Sequence, residues 1–139
     1  MSLYVFDTDT FSLYRRGNAG IVQRLQAVSP GEAVVTIITV EEALSGWYKE
    51  LRRAKSDAET AAIYQRLAAT VRLLARFPIL DLTEAALLRY KDLRSLRLNV
   101  GLMDLRIAAI ALEEGATVVT RNVRDFGRVP DLAIEDWTT

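Results

Sequence analysis

The chain has 139 residues, half of them hydrophobic, and its 18 basic and 18 acidic side chains cancel to a net charge of zero. This length suits one domain with a single substantial core, and the composition argues against global disorder. Cysteine and histidine are both absent, which excludes disulfides, thiol catalysis and zinc sites built on either residue, so acid–base or metal chemistry here must depend on carboxylates.

The N-terminus does not read as a targeting segment. A signal peptide has a basic region followed by an uninterrupted apolar run. Here the first residues lack a basic region, and Asp7 interrupts the first apolar run. No apolar stretch approaches the length of a membrane span. We therefore expect a soluble, cytoplasmic protein.

Charge is distributed unevenly along the chain. Residues 49–97 contain eleven basic and six acidic residues, whereas the remainder contains seven basic and twelve acidic residues. A basic segment beside acidic positions suits an enzyme that holds a polyanion over bound metal. Arginines on solvated helix faces are the simpler explanation of the basic segment taken alone.

Strands and helices alternate in the first part of the chain. Residues 3–6 predict a short buried strand ended by Asp7, followed by a helix that ends at Gly17. Residues 21–28 predict a second short helix, and the β-branched run at residues 33–38 predicts a second strand. A longer helix begins at Thr39, and residues 57–77 form another. Two consecutive helices without an intervening strand resemble a helical hairpin inserted into the α/β alternation.

The second part of the chain continues the alternation. Residues 79–80 predict a brief third strand after Pro78, and residues 83–93 predict an amphipathic helix. After a loop at residues 99–102, Asp104 begins a strongly apolar helix that Gly115 closes. Residues 117–120 predict a fourth strand, residues 121–126 a loop or single helical turn, and residues 133–134 an edge strand. Together these elements predict one α/β domain over residues 1–139.

Four acidic residues lie just after predicted strands or at the start of a helix: Asp7, Glu42, Asp104 and Asp125. A parallel sheet gathers such positions at its carboxyl edge. Carboxylates brought together there repel one another, and a hard divalent cation with oxygen ligands removes that conflict. The pattern therefore predicts a metal-dependent phosphoryl-transfer site.

The pattern alone leaves alternatives open. Each of the four acids can instead be structural, as a helix cap, a turn partner or a member of a surface ion pair. Position along the chain also fails to separate them from three acidic neighbours, Asp9, Glu41 and Asp81.

Four sequence motifs add information that spacing does not. They are FDTD at residues 6–9, TVEEALSG at 39–46, GLMDLRIAA at 101–109 and TRNVRDF at 120–126. In this order they resemble the motifs of the PIN-domain family and, within it, the toxin ribonucleases of VapBC-type toxin–antitoxin systems. The first is similar to the family's LDTN start, with Asp9 in place of the usual asparagine. In the family's second motif the acid lies four residues before a glycine. In this chain that spacing selects Glu42. The resemblance covers essentially the whole chain.

The resemblance implies a fold and an activity. The fold is a three-layer α/β/α PIN-like domain with a central, mostly parallel sheet of four or five strands and an inserted helical hairpin. The activity is that of a metal-dependent endoribonuclease that cleaves RNA phosphodiesters with metal-activated water. The principal Mg²⁺ or Mn²⁺ ion would be bound by Asp7 and Asp104, whereas Glu42 and Asp125 would bind a second ion or act through water.

The resemblance also implies supporting residues and partners. Thr120 and Asn122 would orient carboxylates or water. Arg121 and Arg124, or the basic helices, would contact the RNA backbone. The expected partners are an RNA substrate, a small antitoxin protein and a second copy of the chain in a homodimer, with no membrane association.

Two other functions fit parts of the sequence. The first is a non-catalytic PIN-like module that binds RNA or protein; loss of an acid would mark it, and all four are present. The second is a haloacid-dehalogenase-like phosphatase, because residues 7–10 fit its DxDxT motif with Asp7 as nucleophile and Asp9 as general acid. That family also needs a late paired-aspartate motif, and the chain has no DD or GDxxxD segment.

Overall fold

The computed structural model describes residues 2–139, which form five strands and seven helices. The strands are Tyr4–Phe6 (β1), Ala33–Thr36 (β2), Ile79–Leu80 (β3), Thr117–Val119 (β4) and Ala133–Glu135 (β5). The helices are Thr8–Arg15 (α1), Ala19–Ala27 (α2), Ile37–Arg53 (α3), Asp57–Leu74 (α4), Glu84–Ser95 (α5), Leu102–Glu113 (α6) and Val123–Phe126 (α7). Within these residues, no helix is both long and apolar enough to cross a bilayer.

The five strands form one parallel sheet in the order β3-β2-β1-β4-β5. Val5 of the central strand β1 pairs with Val34 of β2 on one side and with Val118 of β4 on the other. Since all strands run the same way, their carboxyl ends lie along one edge. Asp7 directly follows β1 and therefore emerges in the middle of that edge.

Helices cover both faces of the sheet, as the three-layer prediction requires. Successive residues of a strand point to opposite faces, so Val5 packs in one core cluster and Phe6 in the other. The cluster around Val5 contains the apolar faces of α5 and α6. The cluster around Phe6 contains Phe11 of α1 and Leu74 of α4. The sheet therefore lies between two apolar clusters.

Helices α3 and α4 form the predicted hairpin, with no strand between them. Trp47 Nε1 of α3 donates a hydrogen bond to Thr70 Oγ1 of α4 at 2.9 Å. This bond satisfies the polar atom of a large, half-buried side chain. It joins the two helices of the hairpin.

Several element boundaries differ from the sequence prediction. Strand β2 ends at Thr36, because the Thr36 hydroxyl accepts a hydrogen bond from the Thr39 amide and caps α3. The predicted strand residues 37–38 are consequently helical despite their β-branched side chains. Helix α4 ends at Leu74 instead of residue 77. Helix α6 begins at Leu102, capped by Gly101, so Asp104 lies within its first turn.

Candidate active site

A cavity of about 560 Å³ lies at the carboxyl edge of the sheet. Three of the four predicted acids, Asp7, Glu42 and Asp104, line it. The other lining residues are Thr8, Asp9, Arg121 and Asn122. We call this space the acidic cavity.

Asp7 combines a structural role with its place in the acidic cavity. It is 4% exposed, and its backbone N–H donates to the Val119 carbonyl of β4 at 3.2 Å. Its Oδ1 accepts a hydrogen bond from the Thr10 amide at 2.8 Å, so it caps α1. Burial raises the pKa of Asp7, while hydrogen bonds from Thr10 and Thr120 act in the opposite direction.

Glu42 is held by a residue that the motifs did not single out as functional. The Thr8 hydroxyl donates to Glu42 Oε1 at 2.5 Å and lies 3.1 Å from Thr39 Oγ1. These contacts join α1 to α3 beside the cavity. The feature of the sequence that could have identified Thr8 is its position, because it is a hydroxyl residue immediately after Asp7 at a strand end. No ion pair joins Glu42 to Arg53 within residues 2–139.

Asp104 experiences the combined charge of the site. Burial, followed in order by the nearby charges of Asp7, Glu42, Asp125 and Asp9, raises the pKa of Asp104 to about 6. Repulsion between carboxylates at short range disfavours the ionised form. The carboxylates of the site therefore repel one another, and a divalent cation would remove that repulsion.

Asp125 lies near Asp104 without lining the acidic cavity. Its carboxylate accepts hydrogen bonds from Asn122 Nδ2 and from the Arg128 guanidinium, both at 3.0 Å. Thr120 Oγ1 accepts a hydrogen bond from the backbone N–H of Asn122 at 2.9 Å. Thr120 and Asn122 thus organise the loop before α7. No sequence signal pointed to Arg128.

Asp9 lies closer to the site than the motifs suggested. It lines the acidic cavity, and Arg121 donates to its two carboxylate oxygens at 2.8 and 3.2 Å. The hydrogen bonds and charge of Asp9 raise the pKa of Arg121. Arg121 is thus engaged in an exposed ion pair, while Arg124 on α7 is exposed without a salt bridge among the described residues. Glu41 and Asp81 are exposed and do not line the acidic cavity; neither was predicted to bind metal.

The acidic cavity fits a hard divalent cation in donor chemistry, because its charged ligands are carboxylate oxygens. In position the fit is incomplete: within residues 2–139 no three acidic side chains are close enough to hold one ion together. The expected convergence of four acids is therefore met only in part, since three share the cavity and Asp125 is bound to Arg128. Side-chain rotation would be needed for three of them to share an ion.

The parallel sheet, the helical hairpin and the acids at one edge define a class of protein. Residues 4–132 match the PIN domain family, and the chain belongs to that family. Divalent-metal dependence is typical of PIN-domain nucleases. The match favours the nuclease and PIN-module interpretations over the phosphatase.

Particular relatives within the family carry the name VapC. The tRNA(fMet)-specific endonuclease VapC of Salmonella typhimurium is 26% identical over 141 residues, which covers 99% of each protein. Ribonuclease VapC2 of Rickettsia felis is 38% identical over 68 residues, 46% of this chain and 51% of that protein. Among solved structures, DNA-bound VapBC from Salmonella typhimurium is similar with a TM-score of 0.81, 27% identity and 99% of both chains covered. VapBC-1 from nontypeable Haemophilus influenzae has a TM-score of 0.78 with the same identity and coverage.

Proposed function

We propose that this protein is a metal-dependent endoribonuclease, the toxin of a toxin–antitoxin pair, and that it uses Mg²⁺ or Mn²⁺. One observation carries the proposal: Asp7, Glu42 and Asp104 line one cavity, where burial and their mutual repulsion raise the pKa of Asp104 to about 6. Two relatives that align over nearly their whole length, one named a tRNA(fMet)-specific endonuclease and the other a ribonuclease, support the choice of RNA as substrate.

Each acidic residue has a distinct part in the proposed site. Asp7 and Asp104 hold the principal ion, and Glu42 and Asp125 hold a second ion or orient water. A bound divalent ion supplies activation of a water molecule and neutralises charge that develops on the phosphate. Thr8 keeps the Glu42 carboxylate directed at the cavity through its hydrogen bond. Asn122 and Thr120 position Asp125 in the same way.

The partners follow from the solved relatives. Similar chains are described in VapBC toxin–antitoxin complexes. We infer that a small antitoxin binds this chain and that the chain pairs with a second copy of itself. Both are tested by co-expression with the protein encoded beside it, followed by measurement of the mass of the complex.

A single assay separates the three candidate functions. The purified protein, free of any antitoxin, is incubated with an RNA pool that includes tRNA(fMet), and separately with a small phosphate monoester. Internal RNA cleavage that stops in EDTA and returns with Mg²⁺ or Mn²⁺ is the result expected of the nuclease. Metal-dependent release of phosphate from the monoester, without RNA cleavage, would instead support the phosphatase. Binding of RNA without cleavage would support the non-catalytic module.

A further inference from the structure

Four arginines line one pocket beside the helical hairpin. The pocket has a volume of about 360 Å³. Its arginines are Arg15 at the end of α1, Arg66 and Arg72 on α4, and Arg76 just beyond α4. We call it the arginine pocket.

The positive charge of the arginine pocket has no local counterpart. No acidic residue is among the described residues that line it, and none of its four arginines forms a salt bridge within residues 2–139. Partial burial lowers the pKa of Arg15, and the neighbouring charges of Arg16 and Arg66 lower it further. Crowded, unpaired guanidinium groups favour an anionic ligand.

The helix macrodipole explains only part of this arrangement. Arg15 and Arg72 lie in the last turns of α1 and α4, where a cation interacts favourably with the helix end. Arg66 lies in the interior of α4, where that interaction is lost. The dipole also gives no reason for arginines of two helices to line one pocket.

A third pocket adjoins both the arginine pocket and the acidic cavity. It has a volume of about 330 Å³ and contains Trp47, so we call it the tryptophan pocket. It shares Arg15 and Thr70 with the arginine pocket, and Thr8 and Glu42 with the acidic cavity. These three adjoining pockets, which we call the groove, lead from the carboxylates, past Trp47 and Glu50, to the arginines.

We propose that the arginine pocket binds a backbone phosphate of the RNA whose scissile phosphate lies in the acidic cavity, with the strand between these two phosphates crossing the tryptophan pocket. This inference rests on the proposed ribonuclease function. Carboxylates repel a phosphate backbone, so the groove needs cations away from the reaction centre to hold the strand. Guanidinium groups bind phosphate with two parallel hydrogen bonds.

Trp47 supports a single-stranded ligand in this groove. Its side chain lines the tryptophan pocket, and the Arg15 guanidinium lies 5.4 Å from the centre of its ring. An aromatic ring beside a cation is the combination that binds single-stranded nucleic acid without reading its sequence. We therefore expect the arginine pocket to contribute affinity and not base preference.

The test compares two charge-matched double variants on the same hairpin. Arg72→Gln/Arg76→Gln removes two arginines of the pocket, and Arg52→Gln/Arg53→Gln removes two exposed arginines of α3 that line none of the three pockets. Cleavage of a single-stranded RNA is measured with Mg²⁺ at several salt concentrations. Circular dichroism verifies the fold of each variant.

For Arg72→Gln/Arg76→Gln we expect KM to rise about tenfold with kcat nearly unchanged, as for loss of a charged hydrogen bond made equally in ground and transition states. The slope of log(kcat/KM) against log salt should become shallower by about 0.7, the change for one lost phosphate contact on a single strand. Arg72→Lys/Arg76→Lys should keep that slope, because it keeps the charge. The α3 control should match the parent protein.

Other outcomes have definite meanings. An active parent whose pocket variant keeps the same KM and salt slope would overturn the arginine pocket while leaving the ribonuclease function intact. The same result, with loss of binding to a poly-glutamate peptide, would assign the pocket to an acidic protein segment. A parent that cleaves no RNA would overturn the proposed function and this inference with it.

Discussion

Three of the four predicted carboxylates are held by different kinds of neighbour. Asp7 accepts from the backbone of α1, Glu42 from the hydroxyl of Thr8, and Asp125 from Asn122 and Arg128. Asp104 makes no side-chain hydrogen bond within the described residues. Its pKa is raised by four other acids, whereas only Asp9 acts in this way on Asp7. Asp104 is thus the residue most dependent on an added positive charge.

The raised pKa of Asp104 predicts how stability depends on pH. An aspartate with a pKa of about 6 in the folded protein and 3.8 when unfolded binds more protons when folded between those values. Metal-free protein should therefore become more stable as pH falls from 7 toward 5, so far as this group is concerned. Melting temperatures of the parent and Asp104→Asn across this range measure the effect. An identical pH response in the variant would contradict the assignment.

Thr8 provides a test of how Glu42 is positioned. Thr8→Val removes the hydroxyl that donates to Glu42 and keeps the β-branched shape. The Mg²⁺ concentration required for half-maximal cleavage should rise by about tenfold, the lower end of the range for loss of a residue that orients a metal ligand. Thr8→Ser keeps the hydroxyl and should behave like the parent. Equal metal dependence in Thr8→Val would exclude Thr8 from this role.

Asp9 distinguishes the nuclease from the phosphatase at a single position. Asp9→Asn removes the ion pair with Arg121 and one like charge near Asp104, but no proposed metal ligand. We expect it to keep substantial ribonuclease activity, whereas Asp7→Asn should lose about two orders of magnitude in rate. A phosphatase would lose its general acid in Asp9→Asn. Gel assays of RNA cleavage by both variants provide the comparison.

At the scale of elements, the start of α3 determines where Glu42 lies. The helix begins at Ile37 because Thr36 ends β2 and caps the first turn. Placing the helix start at Thr39 would have changed the predicted position of Glu42 relative to the sheet edge. A buried hydroxyl at one strand end therefore matters for the geometry of the site.

The Thr36 cap predicts a stability change with a local consequence. Thr36→Val should reduce the free energy of unfolding by about 1 kcal/mol, the usual loss when an N-cap hydroxyl is removed. It should also weaken the stabilisation of the protein by Mg²⁺, because α3 carries Glu42. Thr83→Val removes the cap of α5, which carries none of the four acids, and should leave the metal response unchanged. Urea unfolding with and without Mg²⁺ measures both effects.

The sequence predicted the order and type of the elements because their signals are local. The apolar runs at β1, β2 and β4, Gly115 beyond α6 and the hydroxyl caps all act within a few residues. Boundaries at α3 and α6 were wrong because β-branched residues at 37–38 joined a helix, and because Gly101 capped α6 without a side chain. Propensity is a weak guide where tertiary contacts decide.

The site was less predictable because its contacts join distant parts of the chain. The Thr8–Glu42 bond links α1 to α3, and the Asp9–Arg121 pair links α1 to the loop before α7. Arg128 joins Asp125 without belonging to any motif. The motifs identified which acids to compare. The side chains that hold those acids in place could be identified only from the structure.

At the scale of the whole molecule, the uneven charge along the chain becomes an arrangement in space. The acidic cavity lies at the sheet edge, and the arginine pocket lies beside it across α1 and the hairpin. Only part of the basic segment contributes, because Arg89 is paired with Glu113 on the face covered by α5 and α6. Although the net charge is zero, the groove is acidic at one end and basic at the other. This arrangement suits a polyanion held over metal.

The most direct test of the account is cleavage of RNA as a function of Mg²⁺ concentration by the parent, Asp104→Asn and Glu41→Gln. Glu41 neighbours Glu42 but is exposed outside the acidic cavity, so its variant controls for general charge loss. We predict that the parent and Glu41→Gln cleave with the same saturable Mg²⁺ dependence and stop in EDTA, while Asp104→Asn stays inactive at every concentration. Cleavage by the parent in EDTA, or by Asp104→Asn with the parent's Mg²⁺ dependence, would contradict a metal site built on these carboxylates.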